Sequence, residues 1–345
     1  MKVLILAGGK GSRLWPLSKE SCPKQFTADI PDNDGLTLFQ STFKRAMKLT
    51  DKNSIFVVTN ACYKELVTEQ TATLCNGYAD ENIICETVGK NTLPAIVYGV
   101  KVACKNGDDN VLVFPSDHKI ENENEMLSII KNTEKLSENS IVTFGMTPTS
   151  PSTEYGYIEP DNEVLNGFKV KNFKEKPSFE KAQEFIESGY LWNSGIFMFN
   201  SSVFMSEAKK HAVDIFNAII GSSSVEEAYS KIEVGTSIDY GVMEKTDCAA
   251  VVKMSVGWSD LGGFDAFFKA FETDKNGNLC GEDTVNIDSK NNLVIAPDTK
   301  KVVLLGVEDL IVVEKDGVLL LCKKNESYRI KDAVETLKSV NPDLL

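Results

Sequence analysis

The sequence predicts an α/β protein: a doubly wound, mostly parallel sheet with a small β-rich domain behind it. Three observations carry that prediction. Short apolar runs alternate with longer segments of helical period over the first 120 residues, a glycine-rich stretch follows the first run directly, and four β-rich runs lie close together near the C-terminal end.

The run VLILA (3–7) reads as the first strand and the segment from Leu38 to Leu49 as a helix. SIFVVT (54–59), NIICE (82–86) and VLVFPSD (111–117) repeat the strand pattern, with helices over 63–74 and around Pro94 to Cys104 between them. Parallel neighbours need such crossovers, because the chain must travel back along the sheet before re-entering it in the same direction. From Ser140 the texture changes. IVTFGM (141–146), YGYIEP (155–160), FKVKNFKEKP (168–177) and GIFMFN (195–200) read as strands, and 179–188 and 203–220 as helices. This is the insertion-rich second half of the same domain, forming a lid or wall.

Turn formers cluster in DKNGNLCGE (274–282), so the division is expected there, with residues 1–275 in the first domain and 276–345 in the second. Beyond it NNLVIAP, KVVLLGV, DLIVVEK and GVLLLCKK are β-rich, and an amphipathic helix follows over 330–337. So small a tail buries little by itself and is expected to dock on the rest of the chain or on another subunit.

At 345 residues and 42% hydrophobic, the chain has material for a large core. Its 37 Lys and Arg face 50 Asp and Glu, a net charge of −13 without a long basic run, which argues against nucleic-acid and membrane-surface partners. None of the eight cysteines shows the two-residue spacing of a zinc or redox motif, so they are expected to be buried free thiols in a reducing compartment. The apolar run 3–7 is too short for a leader core and no window reaches the ~18 apolar residues of a membrane span, so a cytoplasmic protein is expected.

The opening stretch MKVLILAGGKGSRLWPLSKESCPKQF bears on chemistry. Glycines leaving a parallel strand let the backbone turn sharply and bring bare N–H groups up to phosphate oxygens. Leu14 stands where a dinucleotide fingerprint needs its third glycine, and no Gly-Lys-Ser/Thr follows for a Walker loop. By themselves the glycines also fit a plain tight turn, the lesser of the two readings.

The longer string LAGGKGSRLWPLSKESCPKQF resembles the signature of the nucleotidyltransferases that activate sugar 1-phosphates, and LWPLS with PKQF resembles the mannose-1-phosphate guanylyltransferases among them. The resemblance continues through ETVGKNTLPAI (86–96), FPSDHKI (114–120), EYGYIE (154–159), FKEKP (173–177), WNSGIFMF (192–199), SIDYGVMEK (237–245) and GWSDLGGFDAF (257–267), and it covers nearly the whole chain. Two departures stand out. The family usually reads GRNTAPA where this chain has Gly89-Lys90-Asn91-Thr92-Leu93-Pro94-Ala95, and a small residue then Trp where it has Gly263-Phe264.

The resemblance implies a Rossmann-like nucleotidyltransferase domain with a left-handed β-helix-like C-terminal domain. It implies transfer of GMP from GTP to mannose 1-phosphate with Mg²⁺, giving GDP-mannose and pyrophosphate. The chain stops at Leu345 without the isomerase extension of some relatives, so one activity is expected. A sugar phosphate near neutral pH is already an ionised nucleophile, so the protein needs no base of its own; it must hold two anions together and neutralise the leaving pyrophosphate.

On the family's pattern, Asp117 and Asp260 hold the metal, Arg13 grips the β- and γ-phosphates, Lys24 bridges α-phosphate and sugar phosphate, and Lys176 grips the sugar phosphate. Ala7, Gly8, Gly9, Gly11, Glu86, Asn91, Thr92 and Ser116 belong to the nucleotide; Gly156, Glu175, Asn193 and Asp239 belong to the sugar. Without the resemblance, either aspartate reads as a cap or turn residue and each lysine as a solvated charge. His118 is expected to hydrogen-bond near Asp117, His211 to lie on the surface, and Trp15 and Trp258 to be packing groups. The β-rich tail suggests a homodimer. The rival readings are a nucleotidyltransferase for another sugar 1-phosphate, such as a heptose, and a non-catalytic nucleotide-sugar sensor.

Overall fold

The computed structural model describes residues 1–9, 11–31, 33–299 and 301–344. The chain forms two compact units: Met1–Gly8, Thr42–Ser116 and Glu121–Val256 make the first, and Gly9–Ser41, Asp117–Ile120 and Gly257–Leu345 the second.

The first unit is built on a nine-stranded sheet. β1 (Lys2–Leu6), β2 (Ile55–Asn60), β3 (Ile83–Glu86) and β4 (Asn110–Pro115) run parallel in the order β3-β2-β1-β4. Their side chains are almost all apolar because both faces are covered. Short β5 (Lys119–Ile120) lies in the second unit. The remaining strands are β6 (Ile141–Met146), β7 (Tyr157–Val164), β8 (Gly167–Lys174), β9 (Leu191–Asn200) and β10 (Ala249–Met254).

The expectation of a mostly parallel sheet holds for β1 to β4 and for the β6–β10 pair. The rest is antiparallel: β9 lies between β4 and β6 and runs against both, and the β7–β8 hairpin forms the far edge. The reason is connection length. The hairpin turns at Leu165, in the left-handed region at φ 42°, too abruptly for a crossover.

Helix Thr92–Ala103 packs so closely on β1 that a Cβ on Gly99 would come within 2.9 Å of the Leu4 side chain. That contact fixes the helix N-terminus relative to the strand ends. Around it the core gathers Leu4, Val58, Leu93, Ile96, Phe197 and Phe199. The helix expected over 203–220 is two, Ser201–His211 and Val213–Ile220, broken at Ala212. His211 is not a surface residue: it is largely buried, with Nε2 3.2 Å from Glu207 Oε2. The cysteines are free, but seven are half-buried and Cys62 is exposed, so the expected burial is incomplete.

The second unit holds a solenoid. β11 (Trp258–Ser259) pairs with β5 as an antiparallel ribbon. β12 (Leu279–Cys280), β14 (Leu293–Ile295) and β16 (Leu310–Lys315) stack in parallel, as do β13 (Thr284–Ile287) and β15 (Val302–Leu305), and β17 (Val318–Lys323) closes the stack antiparallel to β16. The buried Asn292 links successive coils, accepting from Leu310 N and donating to Asn278 Oδ1, both at 3.0 Å.

The compact second unit reaches beyond the expected division at 275/276, because Gly9–Ser41 and Asp117–Ile120 join it. Leu14, Trp15, Leu17, Ile30 and Leu38 share one apolar cluster with Leu293, Ile311, Val313 and Ile330. Lys315 donates to Thr27 Oγ1 at 2.8 Å and pairs with Asp29 at 2.6 Å. The tail was too small for a core of its own, and the segment after β1 completes it.

Candidate active site

The expected site residues fall into two groups, one in each unit. In the second unit Gly11 adopts φ 57°, and a Cβ there would sit 3.0 Å from Lys24 N, so only glycine lets the loop close this tightly. Gln25 Nε2 donates to Gly9 O at 2.8 Å and holds the loop from the other side. Lys24 is buried. Its ammonium donates to Asp117 Oδ2 at 3.0 Å, to Leu261 O at 3.2 Å and to Asp260 O, which uses all three of its donors.

The β5–β11 ribbon explains how distant residues meet. Ser259 pairs with Lys119 in antiparallel register, so Asp117 just before one strand and Asp260 just after the other leave the same end. Burial works against charge on Asp117, but the Lys24 ammonium and His118 outweigh it and hold its carboxyl below the ordinary range. His118 Nδ1 accepts from Trp258 Nε1 at 3.1 Å, which puts any ring proton on Nε2, 3.8 Å from Asp117 Oδ1. Thus His118 does lie beside Asp117, Trp15 is a core group, and Trp258 orients a histidine besides packing on it edge-on. Asp260 Oδ1 accepts from Gly262 N at 3.2 Å, a turn contact that leaves Oδ2 facing Gly262, 3.0 Å from where a Cβ would be. Arg13 is exposed on the single 3-10 turn Ser12–Leu14.

In the first unit, Ala7 and Gly8 leave β1, and Ser116 leaves β4, its N–H bonded to Leu6 O at 3.1 Å. Glu86 ends β3, buried, with Oε2 only 2.9 Å from where a Gly8 Cβ would be. Burial pushes its carboxyl up to about 7, against the opposing pull of the Tyr229 hydroxyl, which donates to Oε1 at 2.6 Å. Asn91, at φ 69°, caps the helix through Thr92 N, and Thr92 Oγ1 accepts from Ile238 N at 3.0 Å.

Farther along the sheet Gly156, Glu175, Asn193 and Asp239 come together. A Cβ on Gly156 would overlap Glu175 Oε2 at 2.3 Å. Asn193 N donates to Gly156 O at 2.8 Å, and its Nδ2 donates to Asp239 Oδ1 at 2.9 Å. Glu175 Oε2 is buried and has no hydrogen-bond partner among the described residues. Burial, then the neighbouring Asp239 carboxylate, pushes Glu175 up to about 7, and burial raises Asp239 too. An orphaned buried acceptor beside a glycine-bared wall suits a ligand hydroxyl. Lys176 is half exposed, with Nζ 4.0 Å from Glu175 Oε1.

Residues 2–277 match the nucleotidyl transferase family model, and 282–337 match the MannoseP isomerase/GMP-like beta-helix domain. The chain belongs to the nucleotidyl transferase family. Among its nucleotidyl transferase relatives, a putative mannose-1-phosphate guanylyltransferase of Vibrio cholerae is 36% identical over 98% of this chain and 74% of its own length. The mannose-1-phosphate guanylyltransferase of Escherichia coli is 36% identical over 97% of this chain and 73% of its own. A solved structure from Thermus thermophilus, described as a mannose-1-phosphate geranyltransferase, superposes with a TM-score of 0.89 at 30% identity, covering 98% of this chain and 99% of that one.

Two partners escaped the sequence reading. Glu244 Oε1 accepts from Glu175 N at 3.1 Å; it lies inside SIDYGVMEK, so that motif was its signal. Tyr229 lies between motifs, and nothing local marks it.

Proposed function

We propose that this nucleotidyl transferase moves GMP from GTP to α-D-mannose 1-phosphate, releasing pyrophosphate and forming GDP-mannose. The observation that carries the reading is the likeness, along 98% of the chain, to a relative that bears this activity's name. The geometry within each unit agrees with it.

The sugar phosphate oxygen attacks the α-phosphorus in line, and pyrophosphate leaves from the opposite side. Lys24 supplies a fixed positive charge for the phosphates, pre-aimed by Asp117 and two main-chain carbonyls, so little reorganisation is needed as charge builds. Arg13 presents a fork to the β- and γ-phosphates, Lys176 meets the sugar phosphate, and the N–H groups of Gly9 and Gly11 line the turn.

Asp117 and Asp260 are hard oxygen donors, and Asp117 stays ionised beside Lys24, a donor set that suits Mg²⁺. When bound, the ion would neutralise phosphate charge and steady the leaving group.

Glu175 Oε2 takes a sugar hydroxyl, while Asn193 and Asp239 offer one another's bonding groups to its neighbours. A wrong epimer leaves one of these buried groups unpaired, which is the basis of sugar choice. Glu86, Asn91, Thr92, Ser116, Ala7 and Gly8 receive the nucleoside, with Glu86 as acceptor for a base that presents N–H donors.

A homodimer is the proposed assembly. Val285, Ile287, Val303 and Leu305 form an exposed apolar stripe on the paired β13 and β15, the kind of face that self-association covers. The described cysteines are all unpaired, which agrees with a cytoplasmic, reducing setting, and no helix among the described residues is long and apolar enough to cross a membrane.

The test is pyrophosphate release with Mg²⁺ and mannose 1-phosphate, comparing GTP with ATP, UTP and dTTP, plus GTP with glucose 1-phosphate and a heptose 1-phosphate. Release confined to GTP with mannose 1-phosphate is expected. Release with another pair would move the specificity, and silence with every pair would favour a sensor.

A further inference from the structure

Glu86, on the nucleotide side of the first unit, is buried and bonded to another buried side chain. Its two oxygens are not equivalent. Oε1 accepts the Tyr229 hydroxyl at 2.6 Å, whereas Oε2 faces the bare backbone of Gly8. Tyr229 is itself only 2% exposed, on the helix Val225–Ser230, and its ring meets Tyr98 edge-on at 6.5 Å. A phenol locked in this way has one place to send its proton.

We propose that Tyr229 is a positioning residue for nucleobase selection: by tying down Oε1 it leaves Oε2 as a single oriented acceptor for the imino and amino donors of a guanine-type base. The inference rests on the reading of Glu86 as a nucleotide contact. Two consequences follow from the hydrogen bond. It fixes the carboxyl plane, and it favours the ionised form that burial disfavours, so that Glu86 accepts rather than donates. A protonated Glu86 would offer a donor to the base's own donors and reject them. The titratable groups around it are Tyr229 from its helix, Tyr98 behind Tyr229 on the helix Thr92–Ala103, and Glu226, whose charge acts on Tyr98.

The test is Tyr229→Phe, which deletes one oxygen from a packed ring, set beside Glu86→Gln. Steady-state KM for GTP is measured from pH 6 to 9 on the native chain and both variants. Glu86→Gln has no carboxyl to titrate at that position, so its profile records every titration other than that of Glu86. For Tyr229→Phe the expectation is a KM for GTP raised about tenfold at pH 7 and by less near pH 9, where only the lost orientation of the ionised carboxyl remains, with kcat and the KM for mannose 1-phosphate unchanged. A merely structural loss would move KM equally at every pH.

If Tyr229→Phe is pH-independent or silent while Glu86→Gln raises the KM for GTP, Tyr229 has no positioning role and the base contact stands. If Glu86→Gln also leaves the KM for GTP and the preference over ATP untouched, the proposal and the Glu86 reading fall together. Should Tyr229→Phe not fold, the native profile decides: corrected by Glu86→Gln, its KM for GTP must rise as pH falls through about 7, and a flat difference overturns the proposal.

Discussion

Glu175→Gln should make the protein more stable at alkaline pH and leave it nearly unchanged near pH 4.5. In the native fold burial and the Asp239 carboxylate move the Glu175 carboxyl from an ordinary 4.5 to about 7, and its side chain is only 13% exposed, so solvent screens little of this. A raised carboxyl means that the folded state binds more protons than the unfolded chain between those two values. Stability therefore falls as pH rises through that window, and the full penalty is present above about 7. At ~1.4 kcal/mol per tenfold change, the penalty is about 3 kcal/mol. Glutamine keeps the shape and removes the charge. Thermal unfolding followed by circular dichroism should give a variant about 5 °C more stable than the native chain at pH 8. The gap should close toward pH 4.5, where the native carboxyl is protonated. A difference that stays constant with pH, or a variant less stable at pH 8, would refute the account of Glu175 as a strained, buried carboxylate. The strain has a functional counterpart, since the orphaned oxygen is what a sugar hydroxyl would satisfy.

Gly156→Ala places a methyl 2.3 Å from Glu175 Oε2 and must push that carboxylate aside, so the KM for mannose 1-phosphate should rise at least tenfold while that for GTP holds; equal changes in both would count against a sugar contact. Lys24→Met should lower kcat by about a hundredfold or more with an unchanged circular dichroism spectrum, since methionine keeps the buried apolar stem and removes the preorganised charge; normal turnover would remove Lys24 from the mechanism. Asp260→Asn should raise the Mg²⁺ concentration for half-maximal rate at least tenfold, and an unchanged metal titration would contradict its assignment as a ligand.

The sequence by itself determined most of what local chemistry decides. The alternation of apolar runs and helical segments located β1 to β4 and the helices Lys64–Ala72 and Thr92–Ala103 within a few residues, because burial on both faces writes the strand pattern into every position. The string of motifs determined the family, since loops that bare their backbone or cap a helix need particular residues such as Gly11 and Asn91. Tertiary structure alone decided the rest. Strand direction in the second half depends on which edge a hairpin finds, and the run that became β9 carries no mark of parallel or antiparallel partners. The helix Glu123–Ser137, whose apolar positions sit between polar neighbours, is not among the expected elements, and neither is β10, although its run AAVVKM is buried at five of six positions. The second unit draws on Gly9–Ser41 because only long-range packing could complete a core for so short a tail. The buried partnerships of Lys24 with Asp117 and of Glu86 with Tyr229 join residues 93 and 143 positions apart. A hydrogen bond across such a distance leaves no local trace, because what creates it is the folded backbone that brings its two ends together.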